Sequence, residues 1–322
     1  MQAIVGDTYG SPDVLELRNI DRPEITDDEV LVRVRAAGVE RGAWHLVTGL
    51  PYITRLVFGL RAPKNPVPGM DVAGVVESVG KNVTRFQPGD EVFGIGRGTF
   101  AEYTLVRDEK LAPKPANLAF EEAATVAISG LTALQGLRDH GRVEPGQEVL
   151  VIGASGGVGT FAVQIAKALG ARVTGVCGPA KLAMVRSLGA DRVIDYSRED
   201  FAGGKTRYDV ILDIAGSSSL SRLRSALTPQ GTLVLVGGEA GGRWLGVVAR
   251  LLRARLLSPF VRQKLATFIS SENREDMMVL KELIESGKLT PVLDRTYPLA
   301  EAPEALRYLE EGRARGKVAI TV

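Results

Sequence analysis

The sequence predicts a two-domain α/β protein in which a β-rich domain accompanies a doubly wound parallel sheet. From Met1 to about Pro115, short β-branched runs such as EVLVRVRAAGV and DVAGVVESVG are separated by Gly, Pro and Asp, which indicates strands joined by turns. From about Ala123, strands such as EVLVIGA, RVTGV and YDVILDI alternate with helices, which is typical of a parallel sheet. The 322 residues are enough to fill two cores.

The elements after Asn273 complete the β-rich domain. They are a helix ending at Gly287, a strand near Val292 to Thr296, a helix from Glu301 to Glu311, and the final strand KVAITV. We expect this segment to return to the first domain.

Composition excludes several function classes. A net charge of +2, from 40 basic and 38 acidic residues, gives no global field that favours nucleic acid or an anionic membrane. The single cysteine excludes an internal disulfide framework and a multi-cysteine metal site. The start QAIVGD does not resemble a signal peptide, and no uncharged apolar run reaches the roughly 18 residues of a membrane helix, so we expect a cytoplasmic protein without stable membrane insertion.

A glycine-rich turn follows the strand EVLVI. Ala154, Gly156 and Gly159 occupy the three small-residue positions of the G-x-G-x-x-G fingerprint, in which the backbone approaches a pyrophosphate at a helix N-terminus. Such turns also merely connect strands to helices, but here an apolar helical stripe follows, which favours dinucleotide binding. The predicted binding residues are Ala154, Ser155, Gly156, Gly157, Val158 and Gly159.

The end of the next strand indicates which dinucleotide is bound. An acidic residue that binds the ribose hydroxyls of NAD is expected about 20 residues further on, but Cys177 and Gly178 stand there. Without that carboxylate the 2′-phosphate of NADP meets no repulsion, and Lys181 and Tyr196 are candidates to bind it. Lys181 alone would also fit a solvated helix lysine. We therefore predict NADP(H) as the cofactor.

These motifs resemble the medium-chain dehydrogenase/reductase superfamily, in particular its zinc-independent quinone oxidoreductase branch. The matching blocks run through nearly the whole chain and include AAGVE, PGMDVAGVVESVG, VLVIGASGGVG, SLGADRVIDY and GKVAITV. The resemblance implies a GroES-like substrate domain of residues 1–123 and 263–322 and a Rossmann NADP-binding domain of residues 124–262. It also implies a cleft for cofactor and substrate at their junction.

The resemblance also identifies three positions that hold catalytic zinc in other branches of the superfamily. Here they are Glu40, Met70 and Thr125. Zinc requires thiolate, imidazole or carboxylate donors in a tetrahedral set, which Met70 and Thr125 do not provide. We therefore predict no metal site, and hydride transfer to an acceptor that is already electron-poor, such as a quinone or an α,β-unsaturated carbonyl.

The same resemblance implies that the loop from Glu40 to Tyr52 and the turn from Ser129 to Leu134 line the nicotinamide pocket. Tyr52 is the first candidate to hydrogen-bond or protonate the acceptor, because related enzymes carry a tyrosine in this loop. A packing role for the Tyr52 ring is the alternative.

Glu40 and His45 are the further catalytic candidates in this loop. Glu40 replaces an asparagine that is common in the branch, and an ion pair with Arg41 or Arg61 is its simpler interpretation. His45 is one of two histidines, and a packed or exposed ring is the alternative to proton transfer.

Four further residues complete the predicted cofactor site. Thr132 is expected to support the nicotinamide amide, with a helix N-cap as the alternative. Gly237 and Gly238 are expected to let the backbone approach the ring, and Arg313 precedes the final strand.

Two features leave interpretations open. The segment from Ala240 to Ser270 carries six basic residues and no acidic one, and it fits a pair of amphipathic helices linking the domains, a lid for anionic substrates, or a helix on a membrane surface. The strand GTLVLVGG is apolar and would leave an open sheet edge, so we expect a homodimer in which this edge pairs with its copy.

Together these observations predict an NADPH-dependent oxidoreductase that reduces quinones or α,β-unsaturated carbonyls. The alternatives are a zinc-free alcohol dehydrogenase, an enoyl-thioester reductase, and a non-catalytic NADPH-binding protein. Near-zero net charge and the lack of a basic-aromatic motif argue against a nucleic-acid partner.

Overall fold

Three sheets, of two, six and seven strands, organise the part of the chain that the computed structural model describes, residues 1–238 and 242–322. The chain divides into two compact units. Unit 1 comprises Met1–Leu131, Ser271–Gly287 and Pro291–Val322, and unit 2 comprises Thr132–Ser270 and Lys288–Thr290. The domain boundaries expected at 123/124 and 262/263 fall eight residues before the divisions at 131/132 and 270/271.

The strands of unit 1 form a small antiparallel pair and a larger mixed sheet. The pair consists of β1 (Gln2–Val5) and β2 (Glu16–Asn19). The larger sheet contains β3 (Glu29–Val39), β4 (Asp71–Val79), β5 (Glu91–Ile95), β6 (Tyr103–Arg107), β7 (Leu111–Pro113), β14 (Leu293–Pro298) and β15 (Lys317–Thr321). Its order is β14-β15-β3-β4-β5-β7, and β6 also pairs with β3. The last strand therefore returns to the β-rich unit, where Val318 pairs with Val39, as the sequence predicts.

Short helices cover the sheets of unit 1. They are α1 (Arg41–Thr48), α2 (Arg55–Phe58), α3 (Phe120–Ala123), α10 (Arg274–Glu285) and α11 (Ala302–Glu310), and α4 (Ala127–Gln135) runs from unit 1 into unit 2. The Asn273 side chain accepts a hydrogen bond from the Asp276 amide at 2.8 Å and so begins α10, whose Leu280 and Ile284 are buried.

Unit 2 is a doubly wound parallel sheet, as the sequence predicts. Its strands are β8 (Glu148–Ile152), β9 (Arg172–Cys177), β10 (Arg192–Asp195), β11 (Tyr208–Asp213), β12 (Leu227–Leu235) and β13 (Lys264–Thr267), in the order β10-β9-β8-β11-β12-β13. Its helices are α5 (Gly157–Ala168), α6 (Leu182–Ser187), α7 (Leu220–Ala226), α8 (Gly242–Leu245) and α9 (Val247–Leu257). Parallel strands buried on both faces explain the continuous apolar runs of β8 and β11.

Within the described residues, the edge strands of this sheet are β10 and β13, and β12 lies inside the sheet. GTLVLVGG was expected to form an open sheet edge, and that expectation was wrong, because β12 pairs with β11 on one side and with β13 on the other. Leu233 lies opposite Leu265 in this register. The homodimer stays a prediction, and its edge argument now applies to β13.

The basic segment is helical and then extended. Its residues 240 and 241 lie outside the described part of the chain. In the remainder, α8 and α9 precede β13, and Arg250 of α9 forms an ion pair with the buried Asp213 at the end of β11. Trp244, Leu252, Leu256 and Phe260 are exposed, so the apolar residues of the segment do not all face inward. None of the helices described is long and apolar enough to span a bilayer.

Candidate functional site

The glycine turn of unit 2 is shaped by two close backbone approaches. Gly153 has a φ of 90°, and the amides of Gly153 and Ala154 donate to the Val176 carbonyl at 3.1 and 3.0 Å. A Cβ on Gly159 would lie 2.1 Å from the Gly153 carbonyl oxygen, so only glycine fits there. A Cβ on Gly156, the N-cap of α5, would meet only that same oxygen at 3.5 Å. This cradle, with the helix amides beyond it, fits a dinucleotide pyrophosphate.

The residues expected to bind the 2′-phosphate gather at the ends of β9 and β10. Burial, followed by the nearby Asp195 carboxylate, raises the pKa of the Cys177 thiol, whereas Lys181 lowers it. Tyr196 directly follows β10 and is 68% exposed. A Cβ on Gly178 would lie 3.4 Å from the Tyr196 hydroxyl. Lys181 and Tyr196 therefore both lie close to the place where an NAD-binding carboxylate would stand.

The Asp195 carboxylate lies near Cys177 at the ends of β9 and β10, and it was not predicted from the sequence. Its carboxylate accepts hydrogen bonds from the Ser197 amide at 2.9 Å and the Ser197 hydroxyl at 2.7 Å, and these bonds lower its pKa. Arg198 lies 3.8 Å from it. The Asp-x-Ser spacing was a readable signal, because Asp commonly bonds the backbone two residues further on.

Thr132 lies within a helix and not at its start. The turn expected from Ser129 to Leu134 and the N-cap alternative for Thr132 were both wrong, since α4 extends from Ala127 to Gln135. The packing of Leu131 and Leu134 in the interior stabilises helix there. The Thr132 hydroxyl donates to the Ser270 hydroxyl at 3.2 Å.

Gly237 and Gly238 follow β12 at the same end of the sheet as the glycine turn. A Cβ on Gly238 would lie 2.6 Å from the Gly216 Cα, and a Cβ on Gly216 would lie 2.3 Å from the Gly238 Cα. The two loops therefore touch backbone to backbone. The neighbouring loop is fixed by Asp213, which accepts from the Gly216 amide at 3.2 Å.

Arg313 belongs to unit 1, whereas the other predicted cofactor residues belong to unit 2. Its side chain is largely exposed and forms an ion pair with Glu311.

Glu40, the N-cap of α1, is buried in unit 1 beside a second acid and one base. Its side chain is 7% exposed, and its two carboxyl oxygens have no hydrogen-bond partner. Burial, and then the charge of Asp71, raise the pKa of Glu40 to about 8, although Lys317 opposes them. The ion pair expected with Arg41 or Arg61 is therefore not what surrounds this carboxyl, and that expectation was wrong.

Lys317 holds this buried group together. Its ammonium lies 3.3 Å from the Asp71 carboxylate and donates to the Ser129 hydroxyl at 3.0 Å. Asp71 also accepts from the Ile128 amide at 2.8 Å. One base thus faces two acids, and burial raises the pKa of Asp71 as well.

His45 and Tyr52 belong to the segment from Glu40 to Tyr52, which is mostly the helix α1 and not the loop that the sequence predicts. The His45 Nδ1 is 2.6 Å from the Leu50 carbonyl, so Nδ1 carries a proton and donates it. Tyr52 is half-buried, and the Arg55 guanidinium lies 4.8 Å from the centre of its ring.

The three positions that hold zinc in other branches do not form a zinc site here. A Cβ on Gly42 would lie 3.4 Å from Met70 Sδ and 3.8 Å from Glu40 Oε1, so these two side chains are neighbours. Thr125 is fully buried, and its hydroxyl is committed to the Glu122 carbonyl at 2.7 Å. A carboxylic acid, a thioether and a bonded hydroxyl do not match the donors that zinc prefers. No cluster of three or more metal-binding side chains occurs within residues 1–238 and 242–322.

A cavity of about 530 Å³ opens in unit 1 beside Met70. Apolar side chains, including Leu46, Phe58, Ile95 and Leu105, form much of its wall. Leu46 lies within the segment from Glu40 to Tyr52 that was expected to line a pocket. The other three residues were not predicted, because they come from α2, β5 and β6 and only the fold brings them together.

Comparisons with known proteins agree with this architecture. A family model described as alcohol dehydrogenase GroES-like domain matches residues 26–116, and one described as zinc-binding dehydrogenase matches residues 188–320. The chain is 35% identical to 2-methylene-furan-3-one reductase of Solanum lycopersicum, over 97% of this chain and 76% of the relative. It is 34% identical to the chloroplastic NADPH-dependent alkenal/one oxidoreductase of Arabidopsis thaliana, over 99% and 79%.

A solved structure extends the similarity to the whole fold. Escherichia coli quinone oxidoreductase complexed with NADPH superposes with a TM-score of 0.85 at 26% identity, and the match covers 100% of both chains. The glycine turn, the β-rich unit and these relatives lead to one conclusion. The chain belongs to the medium-chain dehydrogenase/reductase superfamily, in its quinone oxidoreductase branch.

Proposed function

We propose that this protein is an NADPH-dependent reductase of α,β-unsaturated carbonyl compounds or quinones. The observation that carries the proposal is an intact dinucleotide turn in a chain whose Glu40, Met70 and Thr125 cannot assemble a zinc site. Without a Lewis acid to polarise an alcohol, the favoured acceptor is one whose conjugation already makes it electron-poor. The names of the two plant relatives support this class of acceptor.

The preference for NADPH rests on the ends of β9 and β10. Cys177 and Gly178 place no carboxylate at the ribose, and Lys181 and Tyr196 offer a cation and a hydroxyl to a phosphate. Each charge-assisted hydrogen bond to that phosphate contributes about 1.5 to 3 kcal/mol. The Escherichia coli structure in complex with NADPH supports the same assignment.

NADPH, when bound, supplies a hydride. An enone that accepts the hydride at its β-carbon becomes an enolate, and a proton added to the α-carbon gives the saturated carbonyl compound, so each turnover consumes one NADPH and one proton. The role of the protein is to donate a hydrogen bond to the developing oxyanion and to provide that proton.

Tyr52 remains the first candidate for the oxyanion donor, and Glu40 is the second. With a pKa near 8, Glu40 holds its proton at neutral pH and is able to donate it. His45 is the weakest of the three, because its Nδ1 proton is already committed to the Leu50 carbonyl.

A panel of acceptors tests the proposal. Enones, quinones and primary alcohols are assayed with NADPH or NADP⁺ by the cofactor's absorbance, with and without a strong chelator. We expect oxidation of NADPH by enones or quinones, no oxidation of alcohols, and no effect of the chelator. Tight NADPH binding without turnover of any acceptor would instead identify a cofactor-binding protein.

A further inference from the structure

The cavity beside Met70 is a good candidate for the acceptor site of the proposed reaction. All the residues of its wall belong to unit 1. The wall includes Met70, whose sulfur lies near Gly42, as does the Oε1 atom of Glu40. Its volume of about 530 Å³ suits a small organic molecule, and its walls are largely apolar. An apolar enone or quinone body would be buried against Leu46, Phe58 and Ile95.

The charged residues around this cavity are mostly basic. They are Lys64, Arg97, Arg107 and Lys110, against Glu29 and Glu272. Lys110 forms an ion pair with Glu272 at 2.5 Å, whereas Glu29 accepts from the neutral Thr26 hydroxyl at 2.6 Å and keeps its negative charge. Four bases still outnumber the two acids. The surplus is therefore positive.

Lys64 and Arg97 supply that surplus. Both are exposed at the cavity, and neither forms an ion pair within the described residues. Arg107, by contrast, lies 3.5 Å from Glu109. A cleft with low-dielectric walls concentrates the field of charges at its edge, so two unpaired cations there attract an anion more strongly than they would on an open surface.

We propose that the physiological acceptor carries an anionic oxygen group, a carboxylate or a phosphate, attached to its apolar conjugated body. Lys64 and Arg97 bind this group while the apolar part fills the cavity. The inference rests on the proposed function for the identity of the conjugated part. Of the alternative functions named above, an enoyl-thioester reductase agrees with this proposal. An enoyl thioester of a phosphorylated carrier has both a conjugated carbonyl and an anionic group.

Matched acceptor pairs that differ in charge test the proposal. The first pair is 4-carboxybenzylideneacetone and its methyl ester, in which the charge lies far from the reacting double bond. The second is crotonyl-coenzyme A and crotonyl-N-acetylcysteamine, which share the thioester but not the phosphates. A preference within the first pair indicates a carboxylate site, and one within only the second indicates a phosphate site.

The variants Lys64→Gln and Arg97→Gln test whether these two residues bind the anionic group of the acceptor. In each we expect the KM of the charged acceptor to rise about tenfold, the loss of one charge-assisted hydrogen bond, while the KM of the neutral partner changes less than twofold. The kcat values should stay unchanged. Lys81→Gln is the matched control, because it removes an exposed unit 1 cation that does not line the cavity.

Two results would overturn the anionic site and leave the proposed function intact. One is equal KM values for the charged and the neutral acceptor of both pairs in the wild-type enzyme. The other is a variant that changes the KM of the charged and the neutral acceptor by the same factor. If no acceptor is reduced, calorimetric titration of the same four compounds decides. Tighter binding of a charged partner that is lost in Arg97→Gln supports the site, and equal or absent binding overturns it.

Discussion

Replacing Glu40 by glutamine should stabilise the protein, and the gain should grow with pH. Burial and Asp71 raise the pKa of Glu40 from 4.5 to about 8, so the unfolded chain ionises this group at a lower pH than the folded chain does. Between these two values the wild type loses about 1.4 kcal/mol of unfolding free energy per pH unit. The free energy of unfolding of the wild type is lowered by about 3 kcal/mol at pH 7 and by about 5 kcal/mol at pH 9. At higher pH the contribution of Glu40 to this free energy stays constant.

The assay is denaturant unfolding of wild type and Glu40→Gln at pH 5, 7 and 9, and the quantity compared is the difference between them. A constant offset is expected from the new amide, so the slope with pH is decisive. Glu301→Gln is the matched control, because Glu301 is also a helix N-cap but is exposed, and we expect a change of less than about 0.5 kcal/mol at every pH. A difference between wild type and Glu40→Gln that is flat from pH 5 to 9 would refute the buried, protonated carboxyl.

Four further predictions concern the cofactor, the acceptor and assembly. Lys181→Ala should raise the KM for NADPH about tenfold or more and leave that for NADH nearly unchanged, and equal losses would count against the 2′-phosphate assignment. Tyr52→Phe should lower enone turnover by about 10² or more with NADPH binding intact, and unchanged turnover would reduce Tyr52 to a packing role. Gly159→Ala, with its 2.1 Å contact, should unfold more readily, whereas Gly156→Ala should keep its stability and lose NADPH affinity, as melting and cofactor titration would show. Light scattering at micromolar concentration should give a dimer mass that falls to a monomer when charges are introduced on the open edge of β13, and a wild-type monomer would contradict the edge argument.

The parts of the fold that the sequence predicts are those set by local pattern. Alternating apolar and polar residues, or continuous apolar runs, identify the strands. The glycine turn is recognisable because only a glycine at position 159 leaves room for the Gly153 carbonyl oxygen. The short β13 was missed, because four residues within a basic stretch carry no alternation of their own. It is a strand because β12 offers it a partner.

The environment of Glu40 could not be predicted for a different reason. Arg41 follows it directly in the sequence, so an exposed ion pair was the natural expectation. Burial raises its pKa first, and the charged groups that add to or oppose this effect are Asp71 and Lys317, which are 246 residues apart in the chain and meet only when the sheet has formed. Local sequence carries no record of such a contact, and the same holds for the cavity, whose wall comes from several elements.

The position of β15 has a consequence for how the chain is made. During synthesis from the N-terminus, all of unit 2 leaves the ribosome before Lys317 does, so the parallel sheet can fold while the sheet of unit 1 is still incomplete. Until β15 arrives, one edge of β3 has no partner from Val39 back to Ala36, and Asp71 has no cation. A nascent chain in this state exposes the unpaired backbone N–H and C=O groups of β3, which is the kind of surface that chaperones bind. A stalled or truncated chain that ends before residue 317 would contain all of unit 2 but an incomplete sheet in unit 1.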